Sequence, residues 1–462
     1  MCRTPFRAMA TSLAMVLLVV SAPTRAQRAG GWQQSFRAAA NSDPAGRAIG
    51  GTEIVHLVAH KGRLYAGNGY WMDPRGHDNT PWSQVLVLKS PDARWTVDLA
   101  LGPRHLRVTA LESVTFATDA AGKALTTPAR LLLAASDHQG GPTAPYRETN
   151  IWTRDDRKDT WVKTTLQAGR KHRRSVRAFA VHRDRRTGIN RIVVAAGALG
   201  IYGGVYCATE PGTIRWDTKA ELGPVAIRPM SFAEAAGSLY ASAGPAVYRR
   251  IDGPVPRWEK VYRDETPQHW ELGGIRGLTA VASPTGSGQS LLFSHTDRIL
   301  RLDPAAGHRA TVELNVRKLL ERRWGRRVPG AIIAAYSHML PLTDPATGRT
   351  VHVLGVQGRV QRGGKKTTYR ADTFFGWYPG GSYLIRDSDG RYRLKEVNGP
   401  WRPGKPMLVA VRTFAVSPFA NDDAGVLYVG GFDANFFPAR DTAWIFRAPL
   451  QTALATPPPK RK

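Results

Sequence analysis

Short stretches with the apolar alternation of half-buried strands recur along this chain, at residues 52–59, 106–111, 176–181, 227–232, 275–281, 330–335 and 411–416. A turn and a second apolar run follow, at residues 63–67, 130–135, 191–197, 238–244, 290–294, 351–355 and 426–431. Two further strands complete the unit, as in residues 84–88 with 95–99, 151–153 with 160–165, and 247–251 with 258–262. Four-stranded units repeated at this period predict an all-β fold of small antiparallel sheets set radially. Each sheet then buries its faces against its neighbours, and ring closure removes exposed edges. The pattern predicts a β-propeller of seven blades.

The seventh unit is short. Its third strand, residues 442–448, is followed by only a few residues before a basic tail. The run 31–36 near the N-terminus, Gly-Trp-Gln-Gln-Ser-Phe, is therefore expected to supply the missing strand and complete the last blade. A Lys/Arg-rich helical insertion, residues 316–323, interrupts the connection between the fifth and sixth units and is expected to be a solvated surface helix.

The first residues change the picture of where this fold operates. Arg3 and Arg7 precede an uncharged, Leu/Val/Ala-rich run with a core at residues 13–20, and Thr24-Arg25-Ala26 offers a small-residue cleavage site. That is the pattern of a secretory signal, and its core is shorter than the ~20 apolar residues a membrane span needs. The expected division is a signal peptide at 1–26, one propeller domain at 27–454 and a disordered basic tail at 455–462, in a secreted or periplasmic protein with no membrane span.

Loss of the signal would remove three Arg, taking the formal charge from +29 to +26, and would leave Cys207 as the single thiol. No internal disulfide and no Cys-rich metal site can then form, so the core alone must hold the fold. Thirteen Trp with 46 Gly and 32 Pro agree with an all-β class. The positive charge points to a polyanionic partner, an acidic polysaccharide or oligosaccharide, with nucleic acid not expected.

The loops that a propeller would gather on one face carry His77, His105, His138, His172, His269 and His295, half of the twelve His. His56, His60, His182, His308, His338 and His352 are read as structural. Histidine exchanges protons near neutral pH, so the clustering favours acid–base chemistry. The most specific signal is a recurrent arginine at the start of the innermost strand, Arg107, Arg177, Arg228, Arg276 and Arg412, with Glu53 and about Ala331 at the equivalent points of the other two units. Radial repetition should place these guanidinium groups on one ring, either facing a ligand carboxylate or paired with neighbouring blades. Tyr70, Trp71, Trp82, Tyr146, Tyr202 and Trp377 offer flat faces for sugar stacking or for blade packing.

Calcium is the one cofactor the residues leave open, through Asp433 and Asn435 with Asp441, or Asp73 and Asp78 with Asn79. Neither set has diagnostic spacing, and turn chemistry explains both. A glycoside hydrolase would need two facing carboxylates, and the acids of the face are scattered.

The segments 56–60 through 65–73, 197–206, 274–278 and 430–436 with 441–444 resemble those of the secreted seven-bladed propeller polysaccharide lyases, of the rhamnose-glucuronate lyase type. The resemblance spans the chain after the signal and is more specific for fold than for substrate. It implies β-elimination at a uronate, in which Arg neutralises the carboxylate and His or Tyr moves protons. Carried onto this chain, the substrate-binding set is Arg107, Arg177, Arg228, Arg276 and Arg412 with His77 and Trp71. His105 or His138 is expected as base, and Tyr202 or Tyr146 as acid. The alternative is a propeller without catalysis that binds an acidic glycan or a protein through the same arginines.

Overall fold

The computed structural model describes residues 28–29, 31–38, 41–70, 82–138, 147–169, 175–210, 212–225, 228–266, 274–284, 288–325, 327–359, 380–398, 407–420, 425–433 and 442–455. The expected signal peptide and nearly all of the expected tail lie outside them.

The chain is all-β, built from antiparallel sheets whose strands follow one another in sequence. The first sheet holds Glu53–His60, Arg63–Gly69, Gln84–Leu88 and Thr96–Ala100. The second holds His105–Thr118, Ala124–His138, Arg147–Asp155 and Thr160–Gly169, and one residue pair, Gly69 with Arg107, joins it to the first. The third runs from Val176–Arg183 to Thr213–Leu222, the fourth from Pro229–Ala235 to Arg257–Arg263, and the fifth from Arg276–Ala282 to Arg309–Asn315. The sixth pairs Thr350–Gly358 with a split first strand and continues through Ser382–Arg386 to Tyr392–Glu396. In the seventh, Ala410–Val416, Val426–Phe432 and Ala443–Pro449 are completed by Trp32–Arg37, which pairs antiparallel with the last of them. The N-terminal strand thus stands where the hydrophobic pattern expected it.

The second strands are continuous apolar runs rather than alternating ones because both of their faces are covered. In Asn190–Ala196, for example, five consecutive residues from Ile192 onward are buried. Seven apolar clusters fill the spaces between sheets. Tyr65 and Val85 meet Val108 and Leu132 between the first and second sheets, and Leu133 meets Val194 between the second and third. Val193 meets Leu239, Tyr240 meets Leu291, and Leu292 meets Val356 in the next three spaces. Tyr383 meets Phe414, and Ile445 of the last sheet meets Leu57 of the first. Polar contacts tie last to first as well: Leu57 N–H donates to Thr413 Oγ1 at 3.0 Å and Thr442 Oγ1 donates to Thr52 O at 2.8 Å.

Three of these spaces carry the same polar clasp. Asp98, Glu221 and Glu313, on the outer strands of the first, third and fifth sheets, each accept from a buried arginine on the following sheet: Arg154 at 2.9 Å, Arg250 at 2.9 Å and Arg386 at 2.8 Å. An aromatic on that sheet's outer strand donates to the same acid: Trp161 at 2.7 Å, Trp258 at 3.2 Å and Tyr392 at 2.7 Å. A guanidinium fork saturates a carboxylate in two directions, so the ion pair can be buried without orphaned lone pairs.

Three features differ from the sequence expectation. The sixth sheet's first strand is not residues 330–335 but two pieces, Ile332–Ala334 and Leu340–Thr343, separated by a detour over residues 335–339. The charged helix, Val316–Trp324, is amphipathic rather than merely solvated: Val316 and Leu320 are buried in the cluster between the fifth and sixth sheets, because they lie four apart on one face. A short helix, Leu450–Leu454, follows the last strand, and Ala453 and Leu454 pack on the seventh sheet.

Candidate functional site

Each recurrent arginine stands within the first three residues of a first strand or directly before it, beside a register shift in that strand's pairing. The shifts fall at 54/56 in the first sheet, 135/136 and 136/138 opposite Arg107, 176/179, 229/231, 276/279 and 411/413. A bulge inserts an extra residue and re-aims the side chain beside it. Here the re-aimed side chains converge. Arg107 Nη1 donates to Glu53 Oε1 at 3.2 Å and to the Tyr336 hydroxyl at 3.0 Å. Arg412 stacks over the Tyr336 ring at 3.8 Å and stands 3.5 Å from Glu53 Oε2. Arg276 lies over the same ring at 4.8 Å.

Tyr336 reaches this position because the detour of the sixth sheet carries it there. Ala335 has φ +49° and presses on Gly277, where a Cβ would stand 2.5 Å from the Ala335 methyl. Only glycine, itself at φ +64°, admits so close an approach.

The arginines differ in how they are balanced. Glu53 serves Arg107 and Arg412 on one side. On the other, Arg228 is half-buried, and its hydrogen bond among the described residues is to the weak acceptor Met230 Sδ at 3.4 Å. The positive charge of Arg177, then burial and Arg276, push the Arg228 guanidinium down to about 8. Burial, above all, brings Arg276 to about 10 and also lowers Arg412. Arg412 Nε and Nη1 and Glu53 Oε2 are buried with no hydrogen-bond partner among the described residues.

For Tyr336 burial alone would raise the phenol, but Arg107, then Arg177 and Arg412, outweigh burial and Glu53 and hold it down to about 7. Tyr336 is half-buried. Two histidines border the cluster. His56 Nε2 donates to Thr109 O at 3.0 Å and His338 Nε2 to Phe414 O at 3.1 Å. Burial drives His56 down to about 3, with smaller pressure from His338, Arg177 and Arg107, and drives His338 down to about 4. Both are neutral at neutral pH. Their backbone bonds suit the structural role expected of them, and their position beside the arginines was not expected.

His105 and His138 also come together, with ring centroids 4.7 Å apart, and His105 sits edge-on to Trp152 at 5.1 Å. His105 Nδ1 shares a hydrogen bond of 2.5 Å with Ser136 Oγ, and His138 Nδ1 accepts from Glu148 N–H at 3.4 Å. Arg107 is two residues further along His105's own strand. Tyr202 is buried in the apolar cluster between the second and third sheets. His295 is buried and paired with Asp264 at 2.8 Å. His77, Trp71, Tyr146, His172 and His269 lie outside the described residues.

Of the calcium candidates, only Asp433 is described; it accepts from Met407 N–H at 3.0 Å, a tie across 26 residues rather than a local turn. Asp73, Asp78, Asn79, Asn435 and Asp441 lie outside the described residues. Among the described residues no three His, Cys, Asp or Glu side chains are grouped to hold a metal.

Glu53 was legible as the unit that breaks the arginine repeat. Tyr336 was not: its unit lacks the arginine, and the apolar run before it imitates a regular strand. No protein-family model matches the chain, and no curated protein matches it in sequence.

Proposed function

We propose that the seven sheets are the blades of a β-propeller exported behind its N-terminal segment, and that the arginine centre takes the carboxylate of a uronate in an acidic polysaccharide for cleavage by β-elimination. The run of apolar clusters from each sheet to the next and from last to first supports the propeller. The observation that carries the function is the imbalance at the centre: Arg107, Arg276 and Arg412 contact one phenol, Arg177 and Arg228 add positive charge within electrostatic reach, one carboxylate answers them, and Arg228 pairs with no acid among the described residues.

A uronate C5 proton becomes acidic enough to remove when the adjacent carboxylate is neutralised, which is the task of Arg228 with Arg177 and Arg276. Tyr336 takes over the proton-abstracting role expected of His105 or His138, because it touches Arg107, Arg276 and Arg412, whereas Glu53, the other acid there, is held in ion pairs with Arg107 and Arg412. Drawn down to about 7 by the arginines, it stands far closer to neutral pH than an ordinary tyrosine, the poise general acid–base chemistry needs. The phenolate removes the C5 proton, the C4–O bond breaks as the C4–C5 double bond forms, and the phenol returns its proton to the leaving oxygen.

The test is incubation with glucuronate-containing polysaccharides while following the ultraviolet absorbance of an unsaturated uronate. Absorbance with the native protein, lost in Arg228→Leu and Tyr336→Phe, supports elimination. Binding without absorbance favours the alternative, a propeller without catalysis that binds an acidic glycan or a protein.

A further inference from the structure

At the far end of the strands that begin near Arg177 and Arg228 lies a separate open cavity of about 280 Å³, lined by Arg185, Arg186, Arg249, Gly237, Ser238 and Ile251 together with the clasp residue Arg250 and its neighbour Asp252. The strand Val176–Arg183 separates the two places, and at ~3.3 Å per residue they stand roughly 25 Å apart. We propose that this cavity is a second anion site, for a tetrahedral oxyanion such as sulfate or phosphate.

The local carboxylates are already committed. Asp184 accepts from Arg250 Nη1 at 3.0 Å, Arg186 N–H at 3.0 Å and Thr187 N–H at 2.9 Å. Asp252 accepts from Arg250 at 2.6 Å, from His182 at 2.9 Å and from the Arg185 backbone N–H at 3.0 Å. The acids therefore fix the backbone of the turn that carries Arg185 and Arg186 and leave both side chains without a carboxylate partner among the described residues. Arg249 keeps one exposed partner, Glu259, at 2.7 Å.

The cradle is also shaped. The Arg185 guanidinium lies over Gly237, at φ +69°, in the space where any side chain would stand, so glycine is what lets it lean across the cavity. Guanidinium groups on two walls and the Ser238 hydroxyl present donors from several directions. That arrangement suits an ion with four oxygens better than a planar carboxylate. The volume leaves room for the sugar that bears a sulfate or phosphate ester as well as for the free ion.

The experiment is calorimetric titration of the full chain with sodium sulfate at low ionic strength, comparing native protein with Arg185→Ala/Arg186→Ala and with Arg228→Leu. Both arginines of the pair are exposed, so their loss leaves the fold intact. The site assigned here predicts that the double variant weakens one sulfate-binding event at least tenfold and that Arg228→Leu leaves that event unchanged. Equal titrations for native protein and double variant would overturn it, as would loss of all sulfate binding in Arg228→Leu. Parallel titrations with glucose 6-sulfate, glucose 6-phosphate and inorganic phosphate identify the source: an ester that binds tenfold tighter than its free ion marks a saccharide, and equal affinities mark the ion.

Discussion

At Tyr336 burial and positive charge pull the phenol in opposite directions, and charge prevails because three arginines outweigh one carboxylate. The consequence for stability has a definite sign. Folded Tyr336 titrates near 7 and an unfolded tyrosine near ~10, so the unfolded chain binds more protons between those values and stability rises with pH across them. This contribution is complete above the unfolded value and is lost as pH falls through about 7. Denaturant unfolding should therefore show stability climbing from neutral to mildly alkaline pH, with a smaller slope in Tyr336→Phe. Equal slopes in the two proteins would contradict the assignment. Arg228→Leu removes a crowded cation from an unbalanced cluster and should stabilise the fold by about 1 kcal/mol at neutral pH, measured the same way. The five arginines were legible in the sequence because a radial repeat puts equivalent residues at equivalent places. The balance among them was not, since it depends on bulges and on a detour that no periodicity encodes.

Among elements, the detour and the clasps define what each strand must do. Gly277→Ala would drive a methyl into Ala335 and force a left-handed backbone on a side chain, costing about 2 kcal/mol. Because the same contact seats Tyr336, the alkaline phenolate band of that variant should shift toward the ordinary tyrosine range. An unshifted band would separate the detour from the centre. Arg250→Ala leaves Glu221 and Asp184 buried without their cation and should cost about 3–5 kcal/mol in denaturant unfolding. A loss below 1 kcal/mol would mean that the clasp does not bear on stability. The sequence reading found most strands, since apolar runs and turns are local. The clasps were not legible, because the acid comes from one sheet and the arginine and aromatic from the next, at no fixed spacing from it.

For the molecule as a whole, the contacts that run from the last sheet to the first make the N-terminal strand a structural requirement. Trp32 is fully buried against Tyr383 at 6.0 Å, and its removal in Trp32→Ala should cost about 3–5 kcal/mol and lower the melting temperature in one cooperative transition. Two separated transitions would mean that the seventh sheet melts alone. That strand was predictable because an incomplete last unit and an unused strand near the start complement each other. The proposed closure also places the five arginines on a common axis, where an anion can meet several at once. The central claim is that the carboxylate of an acidic saccharide is this anion, and calorimetric titration of a glucuronate-containing oligosaccharide into native protein and Arg228→Leu tests it most directly. The account predicts a Kd at least a hundredfold weaker in the variant, with an undiminished melting temperature; equal affinity in the two proteins would contradict it.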